Sequence, residues 1–282
     1  TASTHSIVGA GLNNIMNSDS HSTLSSGIDN LILSGDSNIL GSGIKNKITS
    51  SDRTALMAGS GNTINLSDNS FVGSGELNLI DKSKDSSIVG GDNNLISGET
   101  SSSIVGGWQN SINGNTFDGR DYNFIGGGVS NEVISDTSII GAGKENTITR
   151  STMSLIGSGF KNDISHSQHS SIVGGVTNSV RGQNLSSFIG GGITNTIGQF
   201  AAPGGENNVI GGGAYNVITP MCAQDSIVGG MYNSINEQCG WVFIGGGYEN
   251  KVGDGTWIGS FNTNYSSIVG GKDNYINYSD YS

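Results

Sequence analysis

The segment SFIGGGITNTIG at residues 187–198 contains a repeat unit that recurs through the whole chain: a hydrophobic pair, glycines, an asparagine and an isoleucine. We take the residue before the glycines, here Ile189, as the anchor of each repeat. Sixteen copies follow, spaced mostly by 15 to 17 residues and in three places by 21 or 24. The anchors are Ile7, Leu24, Leu40, Leu56, Val72, Ile88, Ile104, Ile125, Ile140, Ile156, Ile172, Ile189, Ile210, Ile227, Ile244 and Ile268.

Fixed positions within the repeat indicate the fold. The third residue after the anchor is Gly except at Ala10, the sixth is always Asn, from Asn13 to Asn274, and the eighth is Ile or Val. A unit this short suits two strands and two turns. We therefore expect an all-β fold, a parallel β-solenoid (β-roll) of about sixteen 16-residue coils. It would form a single domain over residues 1–282, with inserts at 113–123, 198–208 and 253–267.

The recurring residues have distinct expected roles. The anchor and the eighth residue would form a thin aliphatic core, and the glycine would occupy a corner with positive φ. The asparagine would adopt the left-handed conformation at that corner and bond its amide to the same amide one coil away. The alternative is a simple turn preference. The members that we single out for this Asn ladder are Asn94, Asn110, Asn131, Asn146, Asn162, Asn178, Asn195 and Asn216.

The residues on either side of each anchor point away from the core, yet many are hydrophobic. Where the preceding residue is large, as at Phe188, the following residue is Gly, and where it is Ser the following residue is Val. Such volume compensation indicates packing against a partner. We expect a homotrimer, with a dimer or a monomer covered by its own inserts as alternatives. The predicted interface residues are Phe71, Phe124, Ile139, Leu155, Phe188, Val209 and Phe243.

The SSIVGG and FIGGG repeats followed by Asn and Ile resemble the heads of YadA-like trimeric autotransporter adhesins and the β-roll repeats of phage or large-virus fibres. The resemblance is one of repeat style and covers all sixteen repeats. This chain has 16-residue coils where the adhesin heads have a shorter, alanine-rich unit. The resemblance implies three parallel β-rolls, intertwined or side by side, whose hydrophobic faces meet at a threefold axis.

Cys222 and Cys239 each lie five residues before an anchor, so they should stack on adjacent coils. Stacked residues lie within disulfide range, and we predict a bridge, with two free thiols in a protected turn as the alternative. A bridge would place the protein in an oxidising, extracellular setting.

Aromatic residues are concentrated in the last repeats, where flat rings suit the faces of sugars. The predicted ligand-binding residues are Trp108, Tyr215, Tyr232, Trp241, Tyr248 and Trp257. The alternative is that these rings pack between subunits.

Composition narrows the function classes. A net charge of −11 offers no basic face to nucleic acid, and the chain lacks an apolar run long enough for membrane insertion. The residue pattern predicts neither a metal site nor a cofactor. We expect a non-enzymatic extracellular fibre or adhesin, on a cell or virion surface, that presents a cell- or glycan-binding surface. The alternatives are a structural filament or sheath subunit stacking end to end, and a polysaccharide-degrading tailspike using Asp118 and Asp121.

Overall fold

A computed structural model describes residues 5–114, 122–198, 205–236, 239–253 and 263–277. The chain is an all-β parallel β-solenoid of about 14 turns. Within the described ranges it contains no helix. Contacts divide it into two compact units, Thr1–Thr137 and Ser138–Ser282, and each unit contains two parallel sheets. That residues 1–282 form a single domain stays a prediction.

In the first unit, one strand of each coil carries the anchor, and we call the sheet of these strands the anchor sheet. Its strands are β1 (Ile7–Val8), β3 (Thr23–Leu24), β5 (Ile39–Leu40), β7 (Ala55–Leu56), β9 (Phe71–Val72), β11 (Ser87–Ile88), β13 (Ser103–Ile104) and β15 (Phe124–Ile125). The second sheet comprises β2 (Ile15–Ser20), β4 (Leu31–Asp36), β6 (Lys47–Thr49), β8 (Thr63–Asn65), β10 (Leu79–Asp81), β12 (Leu95–Ser97), β14 (Ser111–Asn113) and β16 (Glu132–Asp136).

The second unit repeats this arrangement. Its anchor sheet comprises β17 (Ile139–Ile140), β19 (Leu155–Ile156), β21 (Ser171–Ile172), β23 (Phe188–Ile189), β25 (Val209–Ile210), β27 (Ser226–Ile227), β30 (Phe243–Ile244) and β33 (Ser267–Ile268). Its second sheet comprises β18 (Thr147–Thr152), β20 (Asp163–Ser165), β22 (Ser179–Arg181), β24 (Thr196–Ile197), β26 (Val217–Ile218), β28 (Ser234–Ile235), β31 (Lys251–Val252) and β34 (Tyr275–Ile276). A short extra pair joins β29 (Cys239–Gly240) to β32 (Thr263–Asn264).

Each coil from the one anchored at Leu24 to the one anchored at Ile244 buries one anchor and one residue of the second sheet between the two sheets. Ile88 pairs in register with Ile104, and Ile96 pairs with Ile112, so identical side chains stack along the coil axis. All four side chains are fully buried. This confirms the predicted aliphatic core, and it explains the near-invariance of the two positions, because each side chain packs on its copy one coil away.

The first coil shows that the predicted anchor Ile7 is wrong by one residue. Val8, not Ile7, pairs with Leu24, and Asn14, not Asn13, accepts the hydrogen bond from the backbone of Asn30. A shift of one residue turns every side chain of a strand to the other face. With Val8 as the anchor, the glycine position falls on Gly11 and the Ala10 exception disappears.

Glycine at the corner is required by the conformation and by the neighbouring coil. Gly107 has a φ of 92°, and a Cβ atom there would overlap the carbonyl oxygen of Gly128. The expected positive φ at this position is therefore confirmed. The predicted left-handed conformation of Asn is wrong, because the residue before it adopts it instead, as at Gln109 with a φ of 54°.

The described residues include no helix that is both long enough and apolar enough to cross a membrane.

Candidate functional site

The outward-pointing residues of the anchor strands form an uncharged surface, in which large hydrophobes alternate with Ser and Thr, and which we call the anchor face. Ile139 and Phe243 are 43% and 41% exposed on the single chain, although both are large hydrophobes. Of the seven predicted interface residues, Phe71 and Val209 are half-buried. The other five are exposed, namely Phe124, Ile139, Leu155, Phe188 and Phe243. The structure therefore places all seven on one type of surface, in register along the anchor sheets of the two units.

Glycines on the anchor face make room for the rings beside them. A Cβ atom at Gly73 would lie 3.3 Å from the ring of Phe71, and it would overlap the carbonyl oxygen of Val89 in the next coil. The same pair of contacts occurs at Gly245, beside Phe243. Two constraints therefore require glycine directly after the anchor in the FIGGG segments: the adjacent ring and the close approach of the next coil. The corrected first coil, with Ile7 and Gly9, follows the same rule.

The anchor face differs sharply in charge from the outer surface of the second sheet. No residue of the anchor strands is charged in the described chain. The second-sheet strands point several charged side chains outward, at Lys47, Asp81, Glu132, Asp163, Arg181 and Lys251. Because both surfaces belong to the same coils, general composition does not explain the contrast.

The asparagines behind the corner form the predicted ladder. The Oδ1 atom of Asn78 accepts the backbone N–H of Asn94 at 3.1 Å and its Nδ2 at 3.0 Å. The same Nδ2 donates to the carbonyl oxygens of Gly90 and Gly107. All eight ladder residues are buried and donate from Nδ2 to corner carbonyls. The Nδ2 of seven of them also donates to the Oδ1 of the Asn one coil earlier, as the sequence predicts.

Two further polar rows lie inside the coils, and sequence reasoning missed them. Ser67 donates its backbone N–H to Ser51 Oγ at 2.9 Å, and Ser83 donates to Ser67 Oγ at 3.0 Å, in a row five residues before the anchors. A second row lies two residues before the anchors, where Asn38 Oδ1 accepts the Thr54 N–H at 3.1 Å. Their signal in the sequence was the recurrence of Ser and Asn at fixed distances from the anchor.

Cys222 and Cys239 interrupt the first of these rows on adjacent coils. Both are buried free thiols, so the predicted disulfide is not formed in this structure, although the expected stacking is present. Cys239 Sγ donates to the carbonyl oxygen of Asn236 at 3.0 Å. Hydrogen bonding to Cys239 and burial raise the pKa of the Cys222 thiol.

Asp225 lies beside the cysteines, in the row two residues before the anchors. Its Oδ1 accepts the backbone N–H of Val242 at 2.7 Å. Burial raises the pKa of Asp225 to about 7, and the hydrogen bonds from Val242 and the Cys222 thiol oppose that rise. This carboxyl group replaces the amide of Asn208, which holds the same position one coil earlier and accepts the Asp225 N–H.

The structure separates the predicted aromatic ligand-binding residues into different places. Tyr215, Tyr232 and Tyr248 follow the anchor strands, whereas Trp241 precedes its anchor strand. Trp108 belongs to the first unit, and Trp257 lies outside the described residues. Within the second unit, the described rings therefore lie at two different positions of the coil.

Most of these rings pack against another aromatic ring of the same chain. Tyr215 and Tyr232 stack with centroids 4.9 Å apart, and Trp241 and Tyr265 stack at the same distance with planes 4° apart. Tyr232 also meets Tyr248 edge-on. Because a sugar would stack on a free ring face, this arrangement favours a structural role between coils over a binding platform.

Among the described residues, no group of three or more His, Cys, Asp or Glu side chains has the arrangement of a metal site. The carboxylates Asp118 and Asp121, considered for a tailspike activity, lie outside the described residues. Scans against protein-family models and curated protein sequences find no match to this chain.

Proposed function

We propose that this protein is a non-enzymatic subunit of an extracellular fibre or adhesin, on a cell or virion surface, that assembles with further copies of itself through the anchor face. The observation that carries the proposal is the uncharged anchor face, whose large hydrophobic side chains single chains leave exposed in both units. A monomer rarely keeps a large contiguous apolar surface in water.

If copies of the chain associate, their charge favours the anchor face as the surface through which they meet. Two molecules that each carry a net charge of −11 repel one another, and this repulsion is weakest where the approaching surfaces hold no charge. The anchor face is such a surface, whereas the second-sheet surface is not.

A homotrimer is the assembly that we propose, in which three anchor faces meet around a common axis. Closed symmetry would cover every copy of the face equally and leave no apolar edge. The style of the repeat resembles that of trimeric adhesin heads and fibre β-rolls, and this resemblance also supports three subunits. The backbone pairing between coils would then hold each subunit together, while side-chain packing would join the subunits.

The experiment that tests this function is the mass of the native, full-length chain in solution. The proposal predicts a particle of three chains that persists on dilution. A monomer at micromolar concentration would overturn it, since an unassembled subunit would leave the anchor face in water. Electron micrographs of the same sample distinguish discrete particles from the continuous filaments expected of a sheath subunit.

A further inference from the structure

The second unit contains a groove on a different part of the coils from the anchor face. Its volume is about 510 Å³, within the range of small-ligand sites. The residues that line it are Arg150, His166, Gln168, Gln183, Asn184 and Leu185. None of these lining residues is a carboxylate, in a chain where acidic residues outnumber basic ones by 23 to 12.

A local change in the repeat produces this groove. Arg150 and His166 each lie ten residues after their anchors and share the left-handed conformation, with φ values of 50° and 55°. The next coil has Gly182 at that position, so the row of side chains stops there. That coil is also one residue longer, and the extra residue, Gln183, forms part of the wall.

The guanidinium of Arg150 has N–H donors beyond the one that faces His166. Arg150 Nη1 lies 3.3 Å from His166 Nε2, and because a guanidinium can only donate, the imidazole nitrogen accepts. In the described part of the chain, Arg150 forms no ion pair, whereas the nearby Arg181 is paired with Asp163 at 2.8 Å. The side-chain amides of Gln168 and Gln183 form no hydrogen bond to the described residues.

We propose that this groove binds a sugar that carries a carboxylate, such as a uronic acid unit of a glycan. The Arg150 guanidinium would pair with the carboxylate, a geometry in which two parallel N–H donors are available. The amides of Gln168 and Gln183 would bond hydroxyl groups, which both donate and accept. Leu185, which is 37% exposed, supplies an apolar wall for the ring carbons.

This inference deepens the proposed function, because it gives an adhesin or fibre subunit a class of ligand. It rests on that function for its biological setting only. The groove and the anchor face are separate surfaces, so the binding test and the mass test fail independently.

The test is saturation-transfer NMR and calorimetry on the full-length chain with three probes: glucuronate, glucose and inorganic phosphate. Arg150→Gln removes the cation from the groove. Lys82→Gln is the matched control, because Lys82 is an exposed cation at the same coil position, with a φ of 51°, in the first unit. Circular dichroism of both variants confirms that they fold.

We expect glucuronate to bind, and to bind at least about tenfold more tightly than either glucose or phosphate. We expect Arg150→Gln to weaken glucuronate binding by about tenfold or more, as loss of a charged hydrogen-bond partner does, and Lys82→Gln to leave it unchanged. Equal binding of phosphate would contradict a sugar ligand. Equal binding of glucose, or unchanged binding by Arg150→Gln, would overturn the site.

Discussion

The side-chain oxygen of Asn94 accepts both the backbone N–H of Asn110, at 3.0 Å, and its Nδ2, at 3.1 Å. The Asn110 amide also donates to the carbonyl oxygens of Gly106 and Gly128, so one buried side chain ties together three coils. Each amide in the ladder satisfies backbone groups that the corner leaves without a strand partner.

Replacing Asn110 with Ala should therefore destabilise the protein. The variant leaves buried N–H and C=O groups without partners, and we expect a loss of about 1–3 kcal/mol in the free energy of unfolding. Asn113→Ala is the control, since Asn113 is half-buried in β14 and its Nδ2 contacts Ser111 Oγ. Chemical denaturation measures both. Equal stability of Asn110→Ala and the native chain would reduce the ladder to a turn preference.

Two adjacent glycines should respond very differently to substitution. Gly107→Ala places a side chain at a φ of 92° and against the Gly128 carbonyl, so strain and overlap together should cost about 2 kcal/mol or more. Gly106→Ala meets no atom within 4 Å and should change stability by less than about 1 kcal/mol. Thermal melting of the two variants measures the difference. A Gly107→Ala protein as stable as Gly106→Ala would refute the described corner.

The Asp225 carboxyl group should make stability depend on pH. Its pKa is raised to about 7 in the folded chain from an ordinary 3.8, so its contribution is fully present below about pH 4 and is lost as pH rises through 7. Relative to Asp225→Asn, the native chain should lose on the order of 4 kcal/mol across that window. Asn is the matched change because Asn208 holds the same position.

Unfolding free energies of the two proteins, measured from pH 4 to pH 8, give this difference directly. Parallel stability curves would show that Asp225 titrates as an exposed carboxylate does, against the burial seen here.

A thiol titration measures whether Cys222 and Cys239 are free thiols or form a disulfide. As buried thiols, they should be unreactive toward a thiol reagent in the folded protein, and both should react once denaturant is added without a reductant. Two reactive thiols after denaturation support the structure. If no thiol reacts after denaturation, the two cysteines form the disulfide predicted from the sequence.

Features that recur in every coil could be predicted from the sequence, and features that arise once could not. The sequence repeats the core position of Ile189, the corner position of Gly192 and the ladder position of Asn195 many times. A pattern that recurs so often does not arise by chance. The register of the first coil was missed because Ile7 and Val8, and likewise Asn13 and Asn14, both satisfy the pattern. Gly11 favours Val8 whereas Ile15 favours Ile7, and the pairing of Val8 with Leu24 decides between them.

The remaining differences depend on contacts between coils. The mutual stacking of Tyr215 and Tyr232 follows from their common position, five residues after the anchor in consecutive coils, which hydrophobicity alone does not describe. The groove beside Arg150 depends on a missing side chain at Gly182 and one additional residue. The features that form the groove occur once and produce no repeating signal.

Self-assembly through the anchor face is tested most directly by the native mass of Phe188→Asp. Phe188 is 38% exposed on the anchor face, and a charge placed there would be buried without a partner in the assembly. Thr196→Asp, in β24 of the same coil, adds the same charge to the second-sheet surface. Sedimentation equilibrium should find three chains per particle for the native protein and for Thr196→Asp, and single chains for Phe188→Asp. A Phe188→Asp protein that assembles as the native chain does would contradict the account.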